Sequence, residues 1–145
     1  MNTLNESIQD NETLLLTLLD TAARLERRLG GVLSDTRGIS FTEYHLLLKL
    51  ANMREGGATR VELAAAVGLT PSAVTRALKP LEKRGCVITR KNERDARRSL
   101  ASLTPAGLEL LADSQKVVQS EIKLLPLESV DHAQLFQLFD KLNKK

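Results

Sequence analysis

Residues 59–104 read TRVELAAAVGLTPSAVTRALKPLEKRGCVITRKNERDARRSLASLT, and the caps and turns in this segment predict the architecture of the domain. A capping-box signature at Thr59 opens a short helix, and Gly68 closes it. Thr70 followed by Pro71 then predicts the N-cap and the first residue of a second helix. The apolar face of that helix consists of Val74, Leu78 and Leu81. Two short helices with this connection predict a helix-turn-helix, whose second helix enters a groove of DNA.

The residues after the second helix predict a β-hairpin. Gly85 ends the helix, and two β-prone runs follow at 86–90 and 99–103, separated by the polar stretch 91–98. A hairpin behind a helix-turn-helix makes a winged helix. Pro80 lies inside the second helix, where it removes a backbone hydrogen bond, so we expect a kink at this point.

Amphipathic helices flank the winged helix on both sides. Leucines at three- and four-residue spacing predict a helix over 11–30, which Gly30-Gly31 is expected to stop. A capping box at Ser40 opens a helix over 41–53, and Thr104-Pro105 opens a long helix. Further helices are expected from 105 to about 124 and over roughly 129–142. The predicted fold class is mainly α with a small β-hairpin wing.

We expect one domain with two functional parts. The winged helix-turn-helix occupies 40–104, and the flanking helices at 5–30 and 106–145 are expected to dimerise. Their apolar surface exceeds what a small winged helix can cover, and a second copy of the chain would cover it.

The distribution of charge indicates a polyanionic partner. The chain of 145 residues has a formal net charge of +3, but residues 41–104 hold 12 basic and 6 acidic groups, and the segments on either side are net negative. Within 76–98 there are nine basic residues against three acidic ones. Double-stranded DNA is the partner that this excess favours. A solvated basic face without a partner is the alternative reading.

Other classes of protein find no support in the residues. The single cysteine and the two distant histidines exclude a disulfide framework and disfavour a metal centre. No catalytic set of side chains stands out, so we expect neither an enzyme nor a cofactor. We interpret Cys86 as a small buried residue rather than a redox sensor, and Tyr44 and His45 as packing residues. No apolar run is long enough to cross a membrane and no secretory signal is visible, so a cytoplasmic location is expected.

Three stretches resemble the MarR family of bacterial transcription regulators. Leu63-Ala-Ala-Ala-Val-Gly-Leu69 is similar to the first helix of the family's helix-turn-helix. Ser72-Ala-Val-Thr-Arg76 followed by Leu81-Glu-Lys-Arg-Gly85 is similar to its recognition helix. Asp95-Ala-Arg97, with Leu103-Thr104 and Gly107, is similar to its wing signature. The resemblance implies an obligate homodimer with interlocked first and last helices, and in many members a small aromatic effector that releases the DNA.

The resemblance also implies where DNA binds: a recognition helix in the major groove and a wing arginine, here Arg97, in the minor groove. The predicted DNA-binding residues are Ser72, Thr75, Arg76, Lys79, Lys83, Arg94, Arg97 and Arg98. Asp95 is expected to orient a wing arginine, because a carboxylate facing phosphate would be unfavourable.

The sequence is therefore consistent with two functions. The first is a dimeric regulator, most simply a repressor, on a pseudo-palindromic DNA site. The second is a winged-helix module that dimerises and binds proteins but not DNA. The positive charge around the predicted hairpin favours the first, because an interaction module would not need it.

Overall fold

The computed structural model describes residues 2–92, 94–95 and 98–144. This part of the chain forms six α-helices and one two-stranded antiparallel sheet. The helices are α1 (Asn2–Arg37), α2 (Phe41–Asn52), α3 (Arg60–Val67), α4 (Pro71–Lys83), α5 (Pro105–Ile122) and α6 (His132–Asn143). The strands are β1 (Val87–Arg90) and β2 (Leu100–Leu103), and a 3₁₀ turn, Leu127–Ser129, precedes α6. The predicted fold class is confirmed.

Side-chain caps define the helix-turn-helix as the sequence predicts. Thr59 Oγ1 accepts a hydrogen bond from Glu62 N at 3.1 Å, and the Glu62 carboxylate accepts one from Thr59 N at 2.9 Å. Gly68 ends α3 in the left-handed conformation, and Thr70 caps α4 by accepting from Ala73 N. At the start of α2, Ser40 Oγ accepts from Glu43 N, and the reciprocal bond does not form among the described residues. Each cap satisfies amides that a helix leaves unpaired.

The prediction that Gly30-Gly31 ends the first helix is wrong. α1 begins at Asn2 and continues through both glycines to Arg37, where Gly38 stops it with a φ of 68°. A Cβ at Gly30 would lie 3.6 Å from the Phe41 Cβ, so α1 and α2 are in close contact at this point. Burial of Leu33 beyond the glycines compensates for their low helix propensity.

Pro80, where a kink is expected, lies inside α4 and does not end the helix. The helix continues past Pro80 to Lys83, and the Pro80 carbonyl accepts a hydrogen bond from Arg84 N at 3.1 Å. Leu78 and Leu81 on either side of the proline are fully buried. Because Pro80 lies in the last turn, packing of these leucines outweighs the one lost backbone hydrogen bond.

Backbone contacts that leave no space for a side chain attach the hairpin to the helices. Val87 pairs with Leu103 and Arg90 with Leu100, so the two strands are in simple antiparallel register. On the outer edge of β2, Ala101 exchanges two hydrogen bonds with Ala58, at 2.9 and 2.8 Å. A Cβ at Gly57 would overlap the Ala101 carbonyl, and one at Gly107 would overlap the Cys86 carbonyl. Glycine is therefore required at both positions.

The core lies under the winged helix and the second half of α1. Its fully buried side chains are Leu33, Ile39, Leu46, Leu47, Leu63, Val74, Leu78, Leu81 and Val87, joined by Leu110 and Leu111 of α5. The first half of α1 is different, because Leu4 is 76% exposed and Leu14 is 62% exposed. α6, all of whose residues are described, has no buried residue although it carries Phe136 and Phe139. Within the described ranges no helix has the length and hydropathy needed to span a membrane.

The two helical glycines Gly107 and Gly31 give a matched test of this packing. Gly107→Ala places a methyl group against the Cys86 carbonyl, so we expect it to lower the free energy of unfolding by ~1–3 kcal/mol. Gly31→Ala meets no atom within 4 Å and should raise it by ~0.5–1 kcal/mol through helix propensity. Urea denaturation followed by circular dichroism measures both. Equal effects of the two substitutions would contradict the close approach of α5 to the hairpin.

Candidate nucleic-acid interface

α4 separates its residues into a buried and an exposed face. Val74, Leu78 and Leu81 are completely buried in the core. Five of the predicted DNA-binding residues are exposed on this helix: Ser72, Thr75, Arg76, Lys79 and Lys83. Thr75 Oγ1 donates to the Pro71 carbonyl at 3.0 Å, so its hydroxyl hydrogen is already used within the helix. The remaining donors of this surface, above all the guanidinium of Arg76, suit base edges and phosphates.

The loop between β1 and β2 carries the predicted wing residues. Arg94, Asp95 and Arg98 are exposed there, whereas Arg97 lies outside the described residues. Asn92 organises the turn, because its side-chain oxygen accepts from Arg94 N at 3.0 Å and its carbonyl accepts from Asp95 N at 3.3 Å. Arg98 N donates in turn to the Asp95 carbonyl at 3.0 Å. The turn therefore presents two described arginines to solvent on either side of Asp95.

A groove separates the start of α4 from the base of the hairpin. Its lining residues are Arg60, Val61, Pro71, Thr75, Thr89, Lys91 and Ser99. Thr75 on the exposed face of α4 and Lys91 of the loop thus line the same concave surface. In B-DNA a sugar-phosphate backbone separates each major groove from the neighbouring minor groove. A groove with a helix on one side and a basic hairpin on the other matches that alternation.

Comparisons with known proteins agree with this arrangement. The model of the MarR family matches residues 39–99, which hold the helix-turn-helix, β1 and the wing loop. No curated protein matches the chain in sequence. Residues 39–99 are therefore similar to the MarR family.

Solved structures extend the likeness to nearly the whole chain. BldR, a transcriptional regulator from Sulfolobus solfataricus, is 22% identical with a TM-score of 0.81, over 93% of this chain and 95% of that one, and supports the fold alone. Sco3205, a MarR family regulator from Streptomyces coelicolor solved in complex with DNA, is 25% identical with a TM-score of 0.78, over 92% and 84%. CouR from Rhodococcus jostii RHA1, bound to p-coumaroyl-CoA, is 25% identical with a TM-score of 0.74, over 89% and 88%. The winged helix of this chain has the fold of these transcription regulators, one of which, Sco3205, is solved in complex with DNA.

One polar cluster behind the candidate interface was not predicted from the sequence. Arg60 Nη2 donates to Glu82 Oε1 at 3.3 Å and to Thr89 Oγ1 at 3.0 Å, and Thr89 Oγ1 donates to the same Glu82 oxygen at 2.7 Å. The three residues come from α3, α4 and β1. The only signal for this cluster in the sequence is Glu82, an acidic residue within a segment that holds nine basic ones.

Arg84 lies in the basic segment 76–98, but its guanidinium bonds within the protein. Its Nη1 donates to the carbonyls of Arg37 and Gly38, at 3.2 and 3.3 Å. These carbonyls lie at the carboxyl end of α1, where a cation is favoured by the helix dipole. Arg84 therefore links the end of α4 to α1.

Three further residues that the sequence singled out are packed in or against the core. Cys86 is only 4% exposed, as its interpretation as a small buried residue predicts. Tyr44 is buried, and burial raises the pKa of its hydroxyl. His45 is half-buried with its ring 5.7 Å from that of Phe41, and burial is the main cause that lowers its pKa. No group of three or more potential metal ligands occurs among the residues that the structure describes.

The cap of α3 gives the helix-turn-helix a dependence on pH. The hydrogen bond from the Thr59 amide is the main cause that lowers the pKa of Glu62 from 4.5, and Arg54, which donates to both carboxylate oxygens, adds to it. A carboxyl group with a lowered pKa stabilises the fold above its ordinary value and loses that contribution as the pH falls through the lowered one. We expect Glu62→Gln to melt below wild type at pH 7 and to lose less stability than wild type between about pH 5 and 3.

Thermal melts at several pH values measure this effect. Glu55→Gln removes the same charge from the nearby connection and should melt at the wild-type temperature at pH 7. Parallel acid profiles of wild type and Glu62→Gln would show that the cap does not depend on the ionised carboxylate.

Proposed function

We propose that this chain is a homodimeric repressor that binds a pseudo-palindromic DNA site through α4 and the hairpin. The main support is the groove that has the start of α4, with Pro71 and Thr75, on one side and the loop residue Lys91 on the other. The recognition helix would occupy a major groove and the wing would enter the next minor groove. In this arrangement Arg97 contacts the minor groove, and Asp95 orients a wing arginine toward it.

The apolar surface of the terminal helices supports the homodimer. Four exposed apolar residues form one face of α6: Leu135, Leu138, Phe139 and Leu142. A helix of 12 residues is marginal in water on its own, so α6 requires a cover that the described residues of one chain do not provide. Leu4, Ile8, Leu15 and Leu19 of α1 are also exposed and can supply it from a second copy. Arg28 and Glu121, paired at 2.9 Å, hold α1 and α5 together in this region.

Symmetry then determines how DNA is bound. Two copies related by a two-fold axis present two α4 helices, so the half-sites are expected about one DNA turn, ~34 Å, apart. A dimer seated on a promoter occupies the DNA that RNA polymerase needs, and for this reason we propose repression.

A small aromatic effector is the second part of the proposal. A concave surface lies where the end of α2, the hairpin and the start of α5 meet. It is lined by apolar residues, including Leu50, Met53 and Leu108, and by two arginines, Arg54 and Arg90, against one carboxylate, Glu55. An aromatic ring with a carboxylate matches that combination. A ligand at this point would lie between the helices proposed to dimerise and the hairpin, and so could alter the position of the hairpin.

The salt dependence of DNA binding tests the proposed interface. For a duplex selected from random sequence by the wild-type protein, log affinity should fall with log salt at a slope of about −0.9 per neutralised phosphate, with on the order of 8–12 phosphates per dimer. Arg97→Ala should cost ~1–3 kcal/mol per half-site contact without changing the melting temperature. Fluorescence anisotropy measures both, and added aromatic carboxylic acids in the same titration test release.

Two outcomes would contradict these expectations. Failure of the wild-type protein to select any duplex would favour the alternative, a protein-interaction module that does not bind DNA. Arg97→Ala with wild-type affinity would remove the wing arginine from the interface. Lys116→Ala, on exposed α5 surface, serves as the control for loss of one positive charge.

Sedimentation tests the dimer separately from DNA binding. The wild-type chain should sediment at twice its mass of 16.0 kDa at micromolar concentration. The double variant Leu135→Glu and Phe139→Glu places two charges on the proposed contact and should give monomer or aggregate. Gln137→Glu on the same helix is the control and should remain a dimer. A wild-type chain that sediments as a stable monomer would refute the proposal.

A further inference from the structure

Besides its contact with α5 at Cys86, the hairpin is held near the loop at one cross-strand pair, Thr89 opposite Ala101. Ala101 exchanges two backbone hydrogen bonds with Ala58, which attaches the outer edge of β2 to the connection before α3. Across the strand pair, Thr89 bonds to Glu82 of α4 and to Arg60 of α3. Beyond this pair only Arg90 opposite Leu100 remains before the loop begins. The tilt of the loop therefore depends on what holds Thr89 and Ala101.

The bonds at Thr89 form a closed ring. Arg60 Nη2 donates to both the Thr89 hydroxyl and Glu82 Oε1, and the hydroxyl donates to the same carboxylate oxygen. The Thr89 hydroxyl thus acts as acceptor and donor at once, which fixes its orientation. The side chains of Arg60 and Glu82 are only 19% and 34% exposed, so water competes weakly for these bonds.

Stability alone does not account for this cluster. Arg60 Nη1 is buried and has no hydrogen-bond partner among the described residues, which costs free energy. Partly buried ion pairs often add little net stability compared with apolar packing, and fixing one geometry is a role in which such pairs are retained. The geometry fixed here is the angle between β1 and α4.

We propose that Arg60, Glu82 and Thr89 form a clasp that sets the angle of the hairpin relative to α4, so that helix and wing reach adjacent DNA grooves together. The clasp rests on the proposed binding of the wing in the minor groove. The three residues from Thr89 to Asn92, where the turn begins, span at most ~10 Å at about 3.3 Å per residue. A tilt of roughly 10° at the clasp would therefore move the start of the turn by about 2 Å, a third of the ~6 Å width of the minor groove.

Substitutions at Thr89 isolate the hydroxyl group. Thr89→Val keeps the shape and the strand propensity but removes all clasp bonds of this residue, and Thr89→Ser keeps the hydroxyl. On the duplex selected by wild type, we expect Thr89→Val to bind about tenfold more weakly, because the wing must be ordered on binding. At saturating protein, Thr89→Val should still protect guanine N7 in the major groove but lose protection of the minor groove. Thr89→Ser should restore both.

A second pair of variants compares the loss of one positive charge inside the clasp with the same loss outside it. Arg60→Met and Lys116→Met each remove one positive charge, but Arg60 bonds to Thr89 of the hairpin whereas Lys116 is exposed on α5. Arg60→Met should lose minor-groove protection and Lys116→Met should keep it. Melting temperatures of all four variants separate an effect on position from one on folding.

Each other outcome overturns the proposal in a recognisable way. Equal affinity and equal footprints for Thr89→Val and Thr89→Ser would show that the clasp does not position the wing. Loss of both footprints together with a lower melting temperature would show a purely structural role. A wild-type footprint without minor-groove protection would refute the proposed wing contact, and the clasp with it.

Discussion

The fold depends on two places where backbone meets backbone without room for a side chain. Gly57 lies against the Ala101 carbonyl and Gly107 against the Cys86 carbonyl, so the hairpin is in direct contact with the connection before α3 on one side and with α5 on the other. A two-stranded hairpin is barely stable alone, and these contacts provide what its own pairing lacks. They also attach the hairpin to the helix that leads toward the proposed dimer contact. The hairpin, which would enter the minor groove, is therefore packed directly against α5.

Positive charge in the winged helix has more than one purpose. Arg84 neutralises the carboxyl end of α1, and Arg60 holds Glu82 and Thr89 in place. Both guanidiniums are bonded within the domain, whereas the side chains of Arg76 and Arg94 are exposed. A count of basic residues along the chain therefore overestimates the number of groups available to phosphates. The residues that only assemble the domain still affect DNA binding, because they decide where the exposed cations lie.

Local signals predicted much of this structure, and contacts distant in sequence account for what they missed. Caps at Thr59 and Thr70, the left-handed Gly68 and the apolar spacing of α4 depend on neighbours within four residues, and the corresponding helices begin and end where expected. The predicted end of the first helix at Gly30 was wrong because α1 packs closely against Phe41 at this glycine, and that contact is distant in sequence. The clasp joins residues 22 and 29 positions apart, and no periodic pattern reports such pairs. The exposed face of α4 could be predicted from its buried one, whereas the angle of the hairpin could not.

α1 connects the two parts of the proposed mechanism. Its first half is exposed and apolar, where a second copy of the chain is proposed to lie, while Leu33 near its end is fully buried in the DNA-binding core. Arg84, directly after α4, bonds to the last carbonyls of α1, and Arg28 pairs α1 with Glu121 of α5. A helix is stiff over its length, so a change in how two copies of α1 pack would be transmitted to both recognition helices. The spacing of the two α4 helices, and hence of the DNA half-sites, would then follow from the packing of the terminal helices. An effector that alters this packing need not touch any residue that contacts DNA.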